Sequence, residues 1–170
     1  MSRDLSSLVR AFIVYVRSIS EYCSVVWNPF LLKDVTALEK VQRRFTKRLR
    51  GMNKLTYHQR LVKVGLESLE LRRIRADLVL AYKIIFGLTD LNTEDISRYA
   101  PITPDVVTAT NCTVYMPYSK STARYNYFNH RVGRIWNALP CDEVDFSSLR
   151  RFPNSLTVQV LVRYCSLNFI

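Results

Sequence analysis

Apolar residues recur at helical spacing through most of the first half of the chain. The sharpest case is DVTALEKVQRRFTKRLRG, Asp34 to Gly51. There Val35, Leu38, Val41, Phe45 and Leu49 share one arc of a wheel turning about 100° per residue. The spacing predicts a helix with Asp34 as N-cap, its carboxylate accepting from first-turn amides. Gly51 would end it, because glycine tolerates the left-handed closing conformation. Lys40, Arg43, Arg44, Lys47, Arg48 and Arg50 fall on the opposite side of the same wheel, and Glu39 is the only acid after the cap. A solvated helix usually interleaves both signs. One face therefore reads as core and the other as a cationic ridge.

The same reasoning extends along the chain. Leu5, Leu8, Phe12 and Tyr15 mark a helix over 4–16, and Ser18 and Ser20 predict a break before a short helix, Ile19–Trp27. The Val25-Val26-Trp27 end is apolar on nearly every side and is expected to be buried, with Cys23 as a small buried hydrophobe beside it. Asn28-Pro29 stops that helix. Thr56 caps a helix over Tyr57–Val64, which Gly65 ends. Glu67–Phe86 is the longest helix, its stripe formed by Leu71, Ile74, Leu78, Tyr82 and Ile85, widened by Val79 and Phe86, with Gly87 as C-cap. Arg72, Arg73 and Arg75 form a second basic cluster, with Asp77, Glu70 and Glu67 as internal partners that could absorb part of it.

From Leu88 the character changes, and Thr, Asn, Asp and Pro dominate to Pro104. A short helix is expected at Glu94–Tyr99 and a strand over Asp105–Tyr115. Tyr127–Leu139 is again helical, with Phe128, Val132, Ile135 and Trp136 on one face. Ser147 or Ser148 starts a further helix, and Leu156, Val158, Val160, Val162 and Tyr164 alternate as a strand would. The expected fold is mainly α: a small helical bundle over about 4–87, then a less regular segment with one or two helices and short strands. As domains, this gives a basic bundle over 1–90 and an irregular part over 91–170, with its helix near 127–139.

Composition adds a sign to this scaffold. The chain has 170 residues, with 25 Lys+Arg against 14 Asp+Glu, a formal charge of +11. Such a field favours polyanions, nucleic acid first and anionic membrane second. Cys23, Cys112, Cys141, Cys165, His58 and His130 have no metal-ligand spacing, so neither a metal nor another cofactor is expected. Scattered thiols and no signal peptide point to an intracellular protein of nucleus or cytoplasm, not a secreted one. The Asn111-Cys112-Thr113 sequon is then a chance match. No Ser/His/Asp set, glycine-rich phosphate loop or carboxylate pair stands out, so no catalytic residue is assigned. His58 reads as solvent-facing, and Trp27 and Trp136 as core anchors. Tyr125, Tyr127 and Phe128, near Lys120 and Arg124, are either core or base-stacking platforms.

Several stretches carry a family resemblance. They are S-V-V-W-N-P-F at 24–30, E-K-V-Q-R-R-F-T-K-R at 39–48 and L-x-x-x-G-L-x-S-L-E-x-R-R-x-R-x-D-L at 61–78. Y-K-I-I-x-G-L at 82–88 and F-x-x-R-V-x-x-I-W-N-x-L-P at 128–140 complete the set. In order, over roughly Ala11 to Leu149, the chain resembles the C-terminal part of the reverse transcriptase of non-LTR retrotransposons, of the jockey and CR1 type. The resemblance implies a thumb and post-thumb region that holds primer and template. The family's polymerase uses a metal-binding Asp-Asp pair, and no Asp-Asp dipeptide occurs here. The chain is thus expected to be a terminal fragment or a decayed copy without activity of its own, working with a polymerase core in cis or in trans. Ser18 stands where the family often has proline, and Leu156–Ile170 lacks the charged helix expected there.

The leading expectation is non-specific binding of RNA, DNA or their hybrid through backbone phosphates. Its nine candidate contacts are the six ridge cations with Arg72, Arg73 and Arg75. The alternatives are a helical protein-interaction module, an inert remnant of a transposon reading frame, or a cationic helix on anionic lipid. The last requires the apolar stripe to be free rather than packed, so no membrane partner is expected.

Overall fold

A computed structural model describes residues 4–90, 114 and 118–167. The protein is mainly helical, and no strand occurs among the described residues. It divides into two compact units, Met1–Arg73 with Cys165–Ile170, and Ile74–Tyr164.

The first unit opens with α1, Leu5–Ala11, capped by the Asp4 side chain on the Ser7 amide. It continues without a break through a π-helical stretch, Phe12–Arg17, into α2, Ser18–Glu21. The break expected at Ser18 is absent for a local reason. Ser18 Oγ donates to the Val14 carbonyl and Ser20 Oγ to that of Arg17, so both hydroxyls bond back within the helix. The chain turns instead at Cys23, which takes a left-handed φ of 51° and is exposed rather than buried. The short α3, Ser24–Trp27, follows.

The expected burial of this region does not occur. Val26 is exposed and Trp27 keeps 39% of its surface in water, its indole N–H donating to the Tyr22 carbonyl. Tyr15 and Leu8 are exposed as well, and Phe12 alone of its predicted stripe is buried. Phe12 stacks on Phe45 at 4.2 Å between ring centroids and packs with Leu61 and Leu66.

The basic helix α4 spans Leu32–Arg48, and α5 spans Tyr57–Val64. Asp34 lies in the first turn of α4 rather than at its cap, where its charge still suits the helix dipole. Gly51, at φ 75°, serves the turn beyond the helix rather than its end. The limits of α5 match expectation. Thr56 and Gln59 form a reciprocal capping box, and Gly65 closes the helix at φ 66°. The next helix, α6, Leu69–Ile85, matches α4 at 17 residues rather than exceeding it, and carries a first turn in one unit and its remainder in the other. Gly87, at φ 63°, follows its end, and the Leu88 amide reaches back to the Lys83 carbonyl.

The second unit contains α7, Thr122–Tyr125, α8, Phe128–Asn137, α9, Arg151–Ser155, and α10, Val158–Val162. The last corrects the strand expected over 156–164. Thr157 caps a helical turn by accepting from the Val160 amide, and Val160 and Leu161 are buried while Val158 and Val162 are exposed. The core is aromatic. Phe152 stacks on Tyr82 at 4.6 Å and meets Trp136 and Phe146 at 5.6 and 5.3 Å. Tyr82 also donates to the Phe146 carbonyl at 2.9 Å. Of the predicted stripe on α6, Ile84 rather than Ile85 is buried. The helix expected at 94–99 and the strand at 105–115 lie outside the described residues, except for Val114. Its amide and carbonyl are both held by the Asn137 side chain at 2.8 Å.

The two tryptophans should therefore respond differently to truncation. Trp136 is fully packed, so Trp136→Ala should cost about 3–5 kcal/mol. Trp27→Ala should cost less, because 39% of its surface is already in water and its hydrogen bond to the Tyr22 carbonyl is exposed. Urea unfolding of both variants checks the order, and equal costs would contradict it.

Candidate nucleic-acid interface

The orientation of the cationic ridge depends on how α4 is rolled about its own axis. Its buried residues are Val35, Glu39, Gln42 and Thr46, with Leu49 just past the end. Val41, assigned to the apolar stripe by sequence, is exposed, and Leu38 and Phe45 are half-buried. The buried face is thus turned by about 60° from the hydrophobic one. A polar seam has taken its place.

Glu39 anchors that seam. Its carboxylate accepts from the Tyr57 hydroxyl and from the Leu69 amide at 3.1 and 3.3 Å. Leu69 begins α6, so Glu39 supplies from another helix the acceptor that a free N-terminal amide needs. Gln42 donates to the Glu67 carbonyl at 2.9 Å and to the Tyr57 oxygen at 3.1 Å. Thr46 Oγ1 donates back to the Gln42 carbonyl at 2.9 Å. Tyr57 is held on its ring face as well, with the Arg43 guanidinium 4.7 Å and that of Arg60 5.6 Å from the ring centroid. Burial raises the Tyr57 hydroxyl far above its usual range, and the neighbouring carboxylate adds to this, so it remains a donor.

With that roll, Lys40, Arg44, Lys47 and Arg48 are exposed on the outer side of α4. Lys33, absent from the ridge expected from sequence, joins them about two turns before Lys40. From Lys33 to Arg48 the row covers about 22 Å of helix. Among the described residues, no carboxylate lies within ion-pair distance of these cations. Two of the expected ridge members differ. Arg43 is half-buried against Tyr57, and Arg50 is exposed but lies in the turn after the helix.

The second basic cluster is drawn into the protein. Arg72 grips Glu21 through Nε and Nη2 at 2.5 and 3.0 Å, which raises its own pKa. Arg73 is buried, with Nε on the Asn28 side chain at 3.0 Å. Arg75 donates through Nε and Nη2 to the Leu156 carbonyl at 3.3 and 3.0 Å. None of these partners is one that sequence proximity suggested. Asp77 instead pairs with Arg131 at 3.0 Å, and Glu70 accepts from the Ser166 and Leu167 amides. Arg72, Arg73 and Arg75 therefore act as internal braces.

The remaining candidates give no chemical centre. His58 is exposed, as expected. Among the described residues no group of three His, Cys, Asp or Glu side chains could hold a metal, and no helix is long and apolar enough to cross a membrane. Tyr118, Tyr125 and Tyr127 are exposed, but one face of Tyr125 is taken by the Arg134 guanidinium at 3.9 Å.

The Glu39 carboxyl gives a measurable sign. Burial lifts its pKa above the ordinary 4.5, against the opposing pull of the Tyr57 hydroxyl and the Leu69 amide. The folded chain then holds this proton more tightly than the unfolded chain. The group favours folding most below pH 4.5, and that contribution falls as pH rises through the folded value. Glu39→Gln removes the titration. The stability difference between variant and parent should therefore change across this window and level off on either side, as urea titrations at stepped pH would measure. A difference independent of pH would contradict the assignment. No family model matches the sequence, and comparison with curated proteins and with solved structures found no significant match to either.

Proposed function

We propose that this chain is a nucleic-acid-binding, thumb-like accessory part of a retrotransposon RNA-directed DNA polymerase. It would act with a polymerase core supplied in cis or in trans. The observation that carries the reading is the contrast between two sets of cations. Arg72, Arg73, Arg75 and Arg131 are bonded within the protein. Lys33, Lys40, Arg44, Lys47 and Arg48 form one exposed row with no carboxylate in range among the described residues. Such a row neutralises backbone phosphates by displacing condensed counterions, and needs no base contacts to do so. The family resemblance in the sequence supports the same ligand. Sequence-specific reading is not part of the proposal, because the row presents ammonium and guanidinium groups without an Asn or Gln fork.

Arg43 is best left out of the test, since reversing it would place a carboxylate beside the Tyr57–Glu39 pair. In filter binding with single-stranded and duplex RNA and DNA, Lys40→Glu, Arg44→Glu, Lys47→Glu and Arg48→Glu together should reduce affinity by at least about 100-fold at 0.1 M salt. Helical circular dichroism should be unchanged. Each single removal should lower the salt-dependence slope by about one contact. Arg72→Ala serves as the opposite control, costing about 1 kcal/mol of stability through the lost Glu21 bond but no affinity. Unchanged affinity of the fourfold variant would refute the proposal.

A further inference from the structure

In the second unit, Tyr125 is held on one side and open on the other. The residue is 45% exposed, and the Arg134 guanidinium lies over its ring, 3.9 Å from the centroid. Arg134 is itself steadied by Nε, which donates to the His130 carbonyl at 3.3 Å, one turn back along α8. No second ring or cation meets Tyr125 among the described residues.

The backbone around this ring is fixed as well. The Tyr125 amide donates to the Ser121 carbonyl at 2.9 Å. The Asn126 amide and side chain both donate to the Thr122 carbonyl, at 3.1 and 2.9 Å. The Tyr127 amide returns to the Arg124 carbonyl at 3.1 Å, closing a turn whose ends lie within about 7 Å of each other. Arg124, Tyr125 and Tyr127 are thus gathered in one short turn, and Tyr127 is 63% exposed. A ring placed this firmly has little freedom left to lose when a flat group stacks on it.

Charge decides which flat group that is. Between Asp105 and Asp142 the sequence contains no acid, but it contains Lys120, Arg124, Arg131 and Arg134. Arg131 is committed to the buried Asp77 and Arg134 to the ring, while Lys120 and Arg124 are exposed. An open aromatic face beside exposed cations suits a planar group carried on an anionic backbone. Unpaired nucleotides have both features, and every base offers a π-face. Bases paired in a duplex already cover one another and present only their edges. A proline-rich peptide would bring no charge for Lys120 and Arg124, and an acidic peptide no ring for Tyr125.

We infer that Tyr125 stacks an unpaired base of single-stranded RNA or DNA, with Tyr127 beside the next base and Lys120 and Arg124 on the flanking phosphates. The site goes beyond the phosphate row on α4 and shares no residue with it, so each can fail without the other.

Filter binding on the full chain tests this with three probes: an oligothymidylate of about 12 nucleotides, an abasic strand of equal length and a blunt duplex. Tyr125→Ala should weaken oligothymidylate binding about 5- to 150-fold and leave the other two probes unaffected. Tyr125→Phe should bind as the parent does, because it keeps the ring. The salt-dependence slope should be the same in all three proteins, since the ring carries no charge. Retained duplex binding by Tyr125→Ala separates lost stacking from a lost phosphate row. Should Tyr125→Ala fold poorly, 5-iodouracil placed in the oligothymidylate and irradiated with the parent chain should crosslink to Tyr125 or Tyr127. The inference is overturned by a parent that does not bind oligothymidylate or by unchanged affinity in Tyr125→Ala. An equal loss on the abasic strand or the duplex, an altered slope, or crosslinks confined to other residues overturns it as well.

Discussion

One buried carboxylate fixes the arrangement of the first unit. Glu39 sits on the most cationic helix of the chain yet faces inward, where it receives the Tyr57 hydroxyl and the amide that opens α6. Removing a carboxylate from water is costly unless its oxygens are met by donors. Here both oxygens are bonded, and nothing of the residue is exposed. Turned outward, Glu39 would leave the Leu69 amide and the Tyr57 hydroxyl without their acceptor, and would place a negative charge among the exposed cations. A single choice of roll therefore turns Glu39 inward while Lys40, Arg44, Lys47 and Arg48 stay outside.

Backbone chemistry was the part most readily read from sequence. Thr56 and Gly65 bound α5 at the expected residues because capping and left-handed closure depend on residue type more than on context. The roll of α4 was less accessible. Glu39, Gln42 and Thr46 follow the helical period as faithfully as Val35 and Leu49 do, but a hydrophobicity pattern is blind to a polar seam whose hydrogen-bond partners lie 15 to 30 residues away. The N-terminal helix shows the converse. Apolar residues at helical spacing imply a face, not a neighbour to cover it.

The two basic clusters differ for a similar reason. Charge and spacing found Lys40, Arg44, Lys47 and Arg48 of the row on α4, but missed Lys33 and added Arg43, which turns onto Tyr57, and Arg50, which lies past the helix. For Arg72, Arg73 and Arg75 the deciding partners are 51, 45 and 81 residues distant in sequence, and one of them is a backbone carbonyl. Local pairing rules single out Glu67, Glu70 and Asp77, two of which bond elsewhere. At the tail, five residues from Val158 are too few to distinguish a two-residue from a 3.6-residue period, and the Thr157 hydroxyl decides for the helix.

The unequal tryptophans have a practical consequence. The chain contains only two, Trp27 in the first unit and Trp136 in the second. One indole keeps 39% of its surface in solvent and the other, 3% exposed, lies among Phe146 and Phe152. Their emission maxima should differ without any added label. Exciting the native protein would report a wet fluorophore and a dry one together, and replacing either by phenylalanine would let the melting of each unit be followed by its own colour.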